Sequence, residues 1–506
     1  MKTSGNRRIA LNSIILYFKL IISVIVGLYT SRLVLQALGN NDFGLYSVVG
    51  GIVALLNIVG VTMVSTSYRF ISVEIGKGSK GNPNKVYNTI LVIHILLAVL
   101  LVLLGVTIGF WYVDNYLNVE ANRITDAKYV LVVSLITTAI TVMTVPSNGL
   151  IIAREKFLFT SVVEIFQFVL KLLLIYFVLK TYQGNRIRLY ANLVAFATII
   201  PPLLYTSYCY IKELDISKWK FNSELKDYSD VLKFTGWMVV STLSFMGVTQ
   251  GTAMILNIFF GTVVNAAFGI ANQVYTYVQM APRSVLQAAS PQIMKSYGEG
   301  NQERSLAIVY ACTKYCFFIL LLVSFPCVLY MDEILALWLG DVPPQTSIFT
   351  SLIIIATLIG ALTNGLDPLI LASGKIRVFQ IGYAVVFLSL LPIIYVLYSM
   401  GCPAYSNAIV MIILTIVSII FQLYVASAVS DFKVVDYLHR TFVPVLLVVI
   451  SCLPLFFLRY SMQDYVGSYW LASIFVSVLW IVVSMWLFGL NRFEKTKLLN
   501  IVRKFR

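Results

Sequence analysis

Long apolar stretches recur along the whole chain, and short polar segments separate them. A helix needs roughly 20 apolar residues to cross the hydrocarbon core of a bilayer. Fourteen stretches reach this length, so the pattern predicts an all-α polytopic membrane protein with about fourteen spans. The predicted spans are about residues 10–36, 44–66, 88–112, 127–152, 158–180, 188–211, 232–257, 263–289, 306–330, 347–372, 377–400, 405–428, 441–459 and 468–489.

The composition and the placement of charge support this prediction. Of the 506 residues, 59% are hydrophobic and only 12% are charged. The Lys and Arg residues outside the spans divide 26 to 6 in favour of the side that carries both termini. By the positive-inside rule, we expect both termini to be cytoplasmic. The net charge of +15 needs no nucleic-acid partner, because the basic residues are dispersed over short loops and can lean on anionic membrane lipids.

Three pairs of short matches along the chain are displaced by nearly the same distance. They are LIIAREK (150–156) with LILASGK (369–375), Phe43-Gly44 with Phe268-Gly269, and EIGKG (74–78) with SYGEG (296–300), displaced by 219, 225 and 222 residues. Each pair joins one span to the sixth span after it, which indicates a duplication of six helices. The sequence therefore predicts two parallel six-helix lobes around a central cleft, residues 1–230 and 231–440, plus two extra helices and a basic tail in 441–506.

Five basic residues fall inside the predicted spans. A charged side chain at the bilayer centre costs about 3 kcal/mol or more on insertion scales, so it normally faces a bundle interior or a wet cavity. Cations in such a cleft can replace the water around a phosphate headgroup. We therefore predict a cationic substrate-binding cavity, while Arg32 also lies close enough to the end of its span to snorkel to the surface. The predicted cavity residues are Lys19, Arg32, Lys171, Arg283 and Lys314.

Amide side chains recur inside the spans, several of them on common helix faces. Asn272, Gln279 and Gln287 form one stripe with the predicted cation Arg283. Amides suit sugar hydroxyls, and no carboxylate cage or aromatic box for a cationic drug is evident. The predicted polar lining comprises Gln167, Gln250, Asn257, Asn272, Gln279 and Gln287.

Span 5 carries the only carboxylate that lies well inside a predicted span. Glu164, Gln167 and Lys171 are spaced i, i+3 and i+7, which puts them on one helix face with Gln167 placed to bridge the two charges. Glu164 is a candidate for binding a coupling proton or Na⁺. In the alternative interpretation, Glu164 only neutralises Lys171 or Lys19.

Several segments invite comparison with a known family. They are LQALGNNDFGLYSVVGG before and within span 2, YRFISVEIGKG after it, and NAAFGIANQV with RSVLQAASPQIMKSYGEGN around span 8. With fourteen spans and both tails inside, the chain resembles the O-antigen and capsule repeat-unit flippases of the multidrug/oligosaccharidyl-lipid/polysaccharide (MOP) exporter superfamily. The resemblance implies a flippase of the bacterial cytoplasmic (inner) membrane, without a cofactor, that moves an undecaprenyl-diphosphate-linked oligosaccharide by alternating access. Glycosyltransferases and a polymerase of lipopolysaccharide, capsule or exopolysaccharide synthesis are the implied partners.

Other functions remain open at this level. Lipid II flippases also have fourteen spans, and an ion-coupled multidrug efflux antiporter is the nearest rival outside lipid transport. A membrane polymerase or glycosyltransferase needs a catalytic surface outside the lipid, but the outer loops are short and the chain has only two His residues. We therefore expect a transporter and not an enzyme.

Overall fold

A computed structural model gives the fold and describes residues 11–23, 25, 26, 30, 33, 34, 62–115, 123–181, 184–339, 342–461, 470–492 and 494–496. Within these residues the backbone forms helices joined by turns and short connections, and none of them is in a strand. The predicted all-α class is confirmed.

The apolar stretches form long helices, several of which divide at a turn. In chain order they are α1 Leu11–Ser23, α2 62–76, α3 Pro83–Asn115, α4 Ile124–Met143, α5 Val145–Ala153, α6 Phe157–Thr181, α7 Arg186–Lys212, α8 Leu225–Gly261, α9 262–298, α10 Gln302–Leu329, α11 Met331–Leu339, α12 Thr346–Gly360, α13 Leu366–Ser373, α14 Arg377–Leu388, α15 Leu390–Ser399, α16 Ser406–Val429, α17 Val434–Arg459 and α18 Trp470–Gly489.

Eleven helical segments within the described residues are long and apolar enough to cross a membrane. They coincide with predicted spans 3 to 7 and 9 to 14. Predicted span 8 is helical as α9 but is not one of the eleven, and α1 is the described beginning of span 1. Most of predicted span 2, residues 44–61, lies outside the described residues. The chain is a multi-pass membrane protein.

Gly261 separates α8 from α9. Its backbone angles are φ +76° and ψ −170°, a conformation open essentially to glycine alone. The chain can therefore leave one helix and begin the next without an intervening loop. This break agrees with the predicted boundary between span 7, which ends near residue 257, and span 8, which begins near residue 263.

The described helices belong to two compact units. Unit 1 comprises Met1–Thr242 and Met294–Asn301, and unit 2 comprises Leu243–Ile293 and Gln302–Arg506. Each unit has apolar cores of its own. The core of unit 1 includes Ile71, Tyr87, Leu150 and Tyr205, and the two main cores of unit 2 include Phe268, Phe349, Leu390 and Tyr398 in one and Phe317, Leu335, Val448 and Ile481 in the other.

In unit 1 the last turns of α2 and α9 touch through two glycines. A Cβ atom on Gly76 would lie 2.3 Å from the carbonyl oxygen of Lys295, and one on Gly298 would lie 2.3 Å from that of Val73. Both 298 minus 76 and 295 minus 73 give 222, the displacement of the sequence repeat. The contact is therefore reciprocal between the two repeats, and it leaves no room for a side chain at either glycine.

The two C-terminal helices pack within unit 2 against α10. Val448 of α17 and Ile481 of α18 share an apolar core with Phe317 and Phe318 of α10. The indole Nε1 of Trp480 in α18 donates a hydrogen bond to the Ser451 carbonyl oxygen of α17 at 2.8 Å. This packing brings the segment after α18 towards α10.

Candidate functional site

The polar face predicted for span 5 is present on α6 in unit 1. Glu164, Gln167 and Lys171 follow one another at i, i+3 and i+7 on this continuous helix, and each is half-buried. Their neighbours along the helix are apolar, and Val162, Phe166 and Leu173 are exposed. The helix therefore carries one polar stripe in an otherwise lipid-compatible surface.

Glu164 forms an ion pair with Lys19 of α1. The distance from Lys19 Nζ to Glu164 Oε2 is 2.9 Å. The hydroxyl of Tyr205 on α7 also donates a hydrogen bond to Glu164 Oε1 at 3.3 Å. A carboxylate that is half-buried in a membrane helix is tolerated when a cation and a hydrogen-bond donor both satisfy it. Of the two partners proposed for a neutralised Glu164, the structure gives Lys19.

Lys171 has a different environment although it lies on the same helix face. Within the described part of the chain, neither an ion pair nor a hydrogen bond to its ammonium group is present. Gln167 likewise makes no bridge there between Glu164 and Lys171. A half-buried ammonium without a counter-ion is energetically costly, and an anionic ligand would relieve that cost.

The predicted stripe on α9 is divided between two environments. Asn272 donates from Nδ2 to the Phe268 carbonyl oxygen at 3.0 Å and lines a pocket of unit 2. Gln279 interacts with the hydroxyl of Tyr275, and Arg283 lies near the same hydroxyl. The side chains of Arg283 and Gln287 are exposed on their helix.

Three further predicted residues are not part of either environment. Gln250 and Asn257 on α8 are exposed, whereas the residues of α8 that line the pocket of unit 2 fall on a different face. Arg32 lies outside the described residues.

Lys314 of α10 is held by an acidic residue from the C-terminal tail. Its ammonium lies 2.8 Å from Oε1 and 2.7 Å from Oε2 of Glu494, and only 4% of the Lys314 side chain is exposed. Tyr315 donates to the same carboxylate at 3.1 Å. Glu494 accepts at Oε2 from the Asn491 backbone N–H at 2.9 Å, and its own N–H donates to Asn491 Oδ1 at 2.8 Å. The Glu494 carboxylate therefore neutralises the charge of the Lys314 ammonium.

The sequence did not reveal the partners Tyr205 and Glu494. Tyr205 is one of 30 tyrosines, and a tyrosine in an apolar span is more often a packing residue. Glu494 lies in a tail whose composition predicts only a basic, cytoplasmic segment. The signal that could have identified it is its charge, because Glu494 is a single acidic residue among the tail's basic residues and directly follows a span.

Comparisons with known proteins place the fold. No protein-family model matches the chain. The Bacillus subtilis (strain 168) protein named "Uncharacterized membrane protein EpsK" is 19% identical over 288 residues, which cover 56% of this chain and 56% of that protein. The chain thus matches little more than half the length of that relative.

Solved structures of MATE transporters are similar over most of the chain. A MATE protein in its straight conformation gives a TM-score of 0.70 at 16% identity, covering 84% of this chain and 97% of its own. An outward-facing multidrug resistance MATE transporter of the MOP superfamily gives 0.69 at 14% identity, with 84% and 96% covered. A MOP superfamily transporter from Pyrococcus furiosus gives 0.68 at 14% identity, with the same coverage. The chain therefore has the fold of these solved MATE structures.

Proposed function

We propose that the chain moves an undecaprenyl-diphosphate-linked oligosaccharide from the cytoplasmic to the periplasmic leaflet of a bacterial inner membrane by alternating access. The observation that carries this proposal is Lys171, a half-buried ammonium on a membrane helix with no counter-ion among the described residues. A diphosphate headgroup is the anion that such a substrate would supply. The transporter fold supports the proposal but does not distinguish the substrate.

The ion pair between Lys19 and Glu164 suggests how Lys19 can bind the diphosphate together with Lys171. Both Glu164 and Lys171 lie on one face of α6, so Lys19 is held on the same face through its pairing with Glu164. A proton that moves from water to the Glu164 carboxylate neutralises it and breaks the ion pair. The Lys19 ammonium is then free to bind phosphate together with Lys171. Glu164 is thus the proposed site of coupling to H⁺, and Na⁺ binding to the same carboxylate would have the same effect.

The cellular setting follows the charge distribution and the substrate chemistry. We infer that both termini are cytoplasmic, because the basic residues outside the spans are concentrated on their side. The glycosyltransferases that build the lipid-linked unit and the polymerase that consumes it are the proposed partners, in lipopolysaccharide, capsule or exopolysaccharide synthesis. No cofactor is needed for this transport.

Ion-coupled efflux of small molecules is the second candidate function. Asp367 at the start of α13 is half-buried and accepts a hydrogen bond from Gln422 Nε2, and within the described residues no cation pairs with it. A carboxylate of this kind can bind a coupling ion or a cationic drug. The similarity to the structure of a multidrug resistance transporter favours the same candidate. Transport of lipid II is a narrower alternative that shares the diphosphate.

Transport by reconstituted protein separates these candidates. Proteoliposomes would contain wild type, Lys171→Met or Lys128→Met, since Lys128 forms an exposed ion pair with Asp114 at 2.7 Å and loses the same charge. We expect flipping of a fluorescent undecaprenyl-diphosphate-linked N-acetylglucosamine to fall about tenfold or more in Lys171→Met, from the loss of one charge-assisted bond. Lys128→Met should behave as wild type, because exposed ion pairs contribute little.

The efflux candidate is tested in the same vesicles with ethidium. Ethidium transport that is abolished by Asp367→Asn, in protein that does not flip the lipid, would establish efflux and refute the proposed function. If Lys171→Met flips the lipid at the same rate as wild type, Lys171 does not bind the diphosphate.

A further inference from the structure

Unit 2 contains a small, partly open pocket. The pocket lies among α8, α9, α12, α15 and α16, and its α8 residues are spaced i, i+3, i+4 and i+7 on one helix face. Its lining residues are Phe245, Val248, Thr249, Thr252, Phe268, Asn272, Tyr275, Ile353, Leu390, Asn407, Ala408 and Met411.

Within the described part of the chain, two polar atoms on this lining have no hydrogen-bond partner. They are Oγ1 of Thr252, whose residue is 1% exposed, and Oδ1 of Asn407, whose residue is 2% exposed. Other polar groups nearby are satisfied, since Thr249 Oγ1 donates to the Phe245 carbonyl oxygen at 3.0 Å. Buried polar atoms are nearly always hydrogen-bonded, and leaving one unpaired costs about 1–3 kcal/mol. Two such atoms on one pocket therefore indicate a ligand that satisfies both.

The lining restricts the chemistry of that ligand. No Lys, Arg, Asp or Glu is among the twelve residues, so the ligand is neutral at this point. Asn407 Oδ1 accepts only, so the ligand must donate a hydrogen bond to it, while the Thr252 hydroxyl can donate or accept. Phe245, Phe268 and Tyr275 offer apolar ring surfaces beside these polar atoms. A sugar ring has this combination of hydroxyl or acetamido groups and C–H faces.

We propose that this pocket binds one neutral sugar ring of the transported substrate, with Asn407 Oδ1 accepting from a hydroxyl or acetamido N–H and Thr252 Oγ1 exchanging a hydrogen bond with a second hydroxyl. This inference rests on the proposed function and names the part of the substrate that unit 2 recognises. The proposed function assigns the diphosphate to the cations of unit 1, and this inference concerns the sugar and unit 2 alone.

Binding to the purified full chain in nanodiscs tests the pocket. The two probes are undecaprenyl diphosphate and the same lipid carrying one N-acetylglucosamine. We expect wild type to bind the sugar-bearing lipid about tenfold more tightly than the bare lipid, because two neutral hydrogen bonds contribute roughly 0.5–1.5 kcal/mol each. Asn407→Leu and Thr252→Val, which keep side-chain size, should each reduce this preference about threefold to fivefold, and the double variant should abolish it.

Thr415→Val is the matched control. Thr415 lies two turns beyond Asn407 on α16, is buried, and donates to the Met411 carbonyl oxygen at 2.7 Å, but it does not line the pocket. Thr415→Val should prefer the sugar-bearing lipid over the bare lipid by the same factor as wild type. Thermal unfolding of wild type and the four variants reports whether each variant folds.

The other outcomes are distinct. If bare lipid binds but the sugar adds no affinity, the pocket holds ordered water only, and this inference fails while the proposed function stands. If the variants tighten binding of the bare lipid, the pocket holds isoprenoid chain and the assignment to sugar is wrong. If neither lipid binds, the proposed function itself fails.

Discussion

The polar face of α6 in unit 1 and the pocket of unit 2 place different kinds of polar group in a membrane protein. On α6 the polar groups are charged, and Glu164 is satisfied by Lys19 and Tyr205. Among the residues that the structure describes, the pocket of unit 2 has no charged lining residue, and two of its polar atoms have no partner. The first environment is built around ions and the second around neutral hydrogen bonds.

The two regions lie on corresponding parts of the sequence repeat. The displacement of 219 residues that relates Lys156 to Lys375 converts α6 into α14 and α15. It also converts Lys171 into Leu390, which lines the neutral pocket. One position of the predicted repeat is therefore a cation in one copy and a leucine in the other. The comparison teaches that equivalent helical positions of the predicted repeat carry different chemistry.

Exchanging the residues at this position should produce the largest effects. Leu390 is only 3% exposed, so Leu390→Lys places an unpaired cation among neutral groups. We expect it to lower the free energy of unfolding by about 3 kcal/mol or more, which thermal unfolding in detergent would measure. Lys171→Leu should instead leave stability unchanged or raise it, because it removes a cation that has no counter-ion among the described residues.

The two substitutions should therefore differ in their effect on the free energy of unfolding, since only Leu390→Lys should lower it. If Leu390→Lys unfolds at the temperature of wild type, the pocket of unit 2 accepts charge as readily as α6 does, and the contrast between the regions disappears.

The helical architecture could be predicted because it depends on local patterns. Runs of about twenty apolar residues predict the helix positions, and the predicted boundary between residues 257 and 263 contains the junction that Gly261 makes. The glycine pair Gly76 and Gly298 was identified as part of a repeat from spacing alone, and the two residues make reciprocal contacts. Each of these features is encoded within a few neighbouring residues.

The partners of the charged groups could not be predicted in this way. Helix periodicity placed Glu164 and Lys171 on one face, but the ion pair of Glu164 is with Lys19, 145 residues away. Lys314 pairs with Glu494 across 180 residues. Such pairs depend on which helices are neighbours, which one sequence does not give. The pocket residues Thr252 and Asn407 were missed because short neutral side chains do not interrupt an apolar span.

A double-mutant cycle on Lys19 and Glu164 tests the charged side of the comparison. Glu164→Gln leaves the Lys19 ammonium with only an amide partner, and we expect it to lower the free energy of unfolding by about 1–2 kcal/mol. Lys19→Met together with Glu164→Gln should restore part of that loss, with an interaction energy of about 1 kcal/mol. Denaturant titration of the four proteins measures both quantities. An interaction energy near zero would mean that the pair contributes no stability and that only Lys171 distinguishes this face.

The smallest expected effect tests the neutral side with two buried threonines of unit 2. Thr313 Oγ1 donates to the Val309 carbonyl oxygen at 2.9 Å and accepts from the Gly365 backbone N–H at 3.1 Å, so Thr313→Val should lower the free energy of unfolding by about 1–2 kcal/mol. Thr252 Oγ1 has no partner in the described ranges, so Thr252→Val removes an unpaired polar atom and should change stability by no more than about 0.5 kcal/mol. The two substitutions are chemically identical, and denaturant titration compares them directly. A loss for Thr252→Val as large as that for Thr313→Val would mean that the hydroxyl is already satisfied in the empty protein, in which case it is not reserved for a ligand.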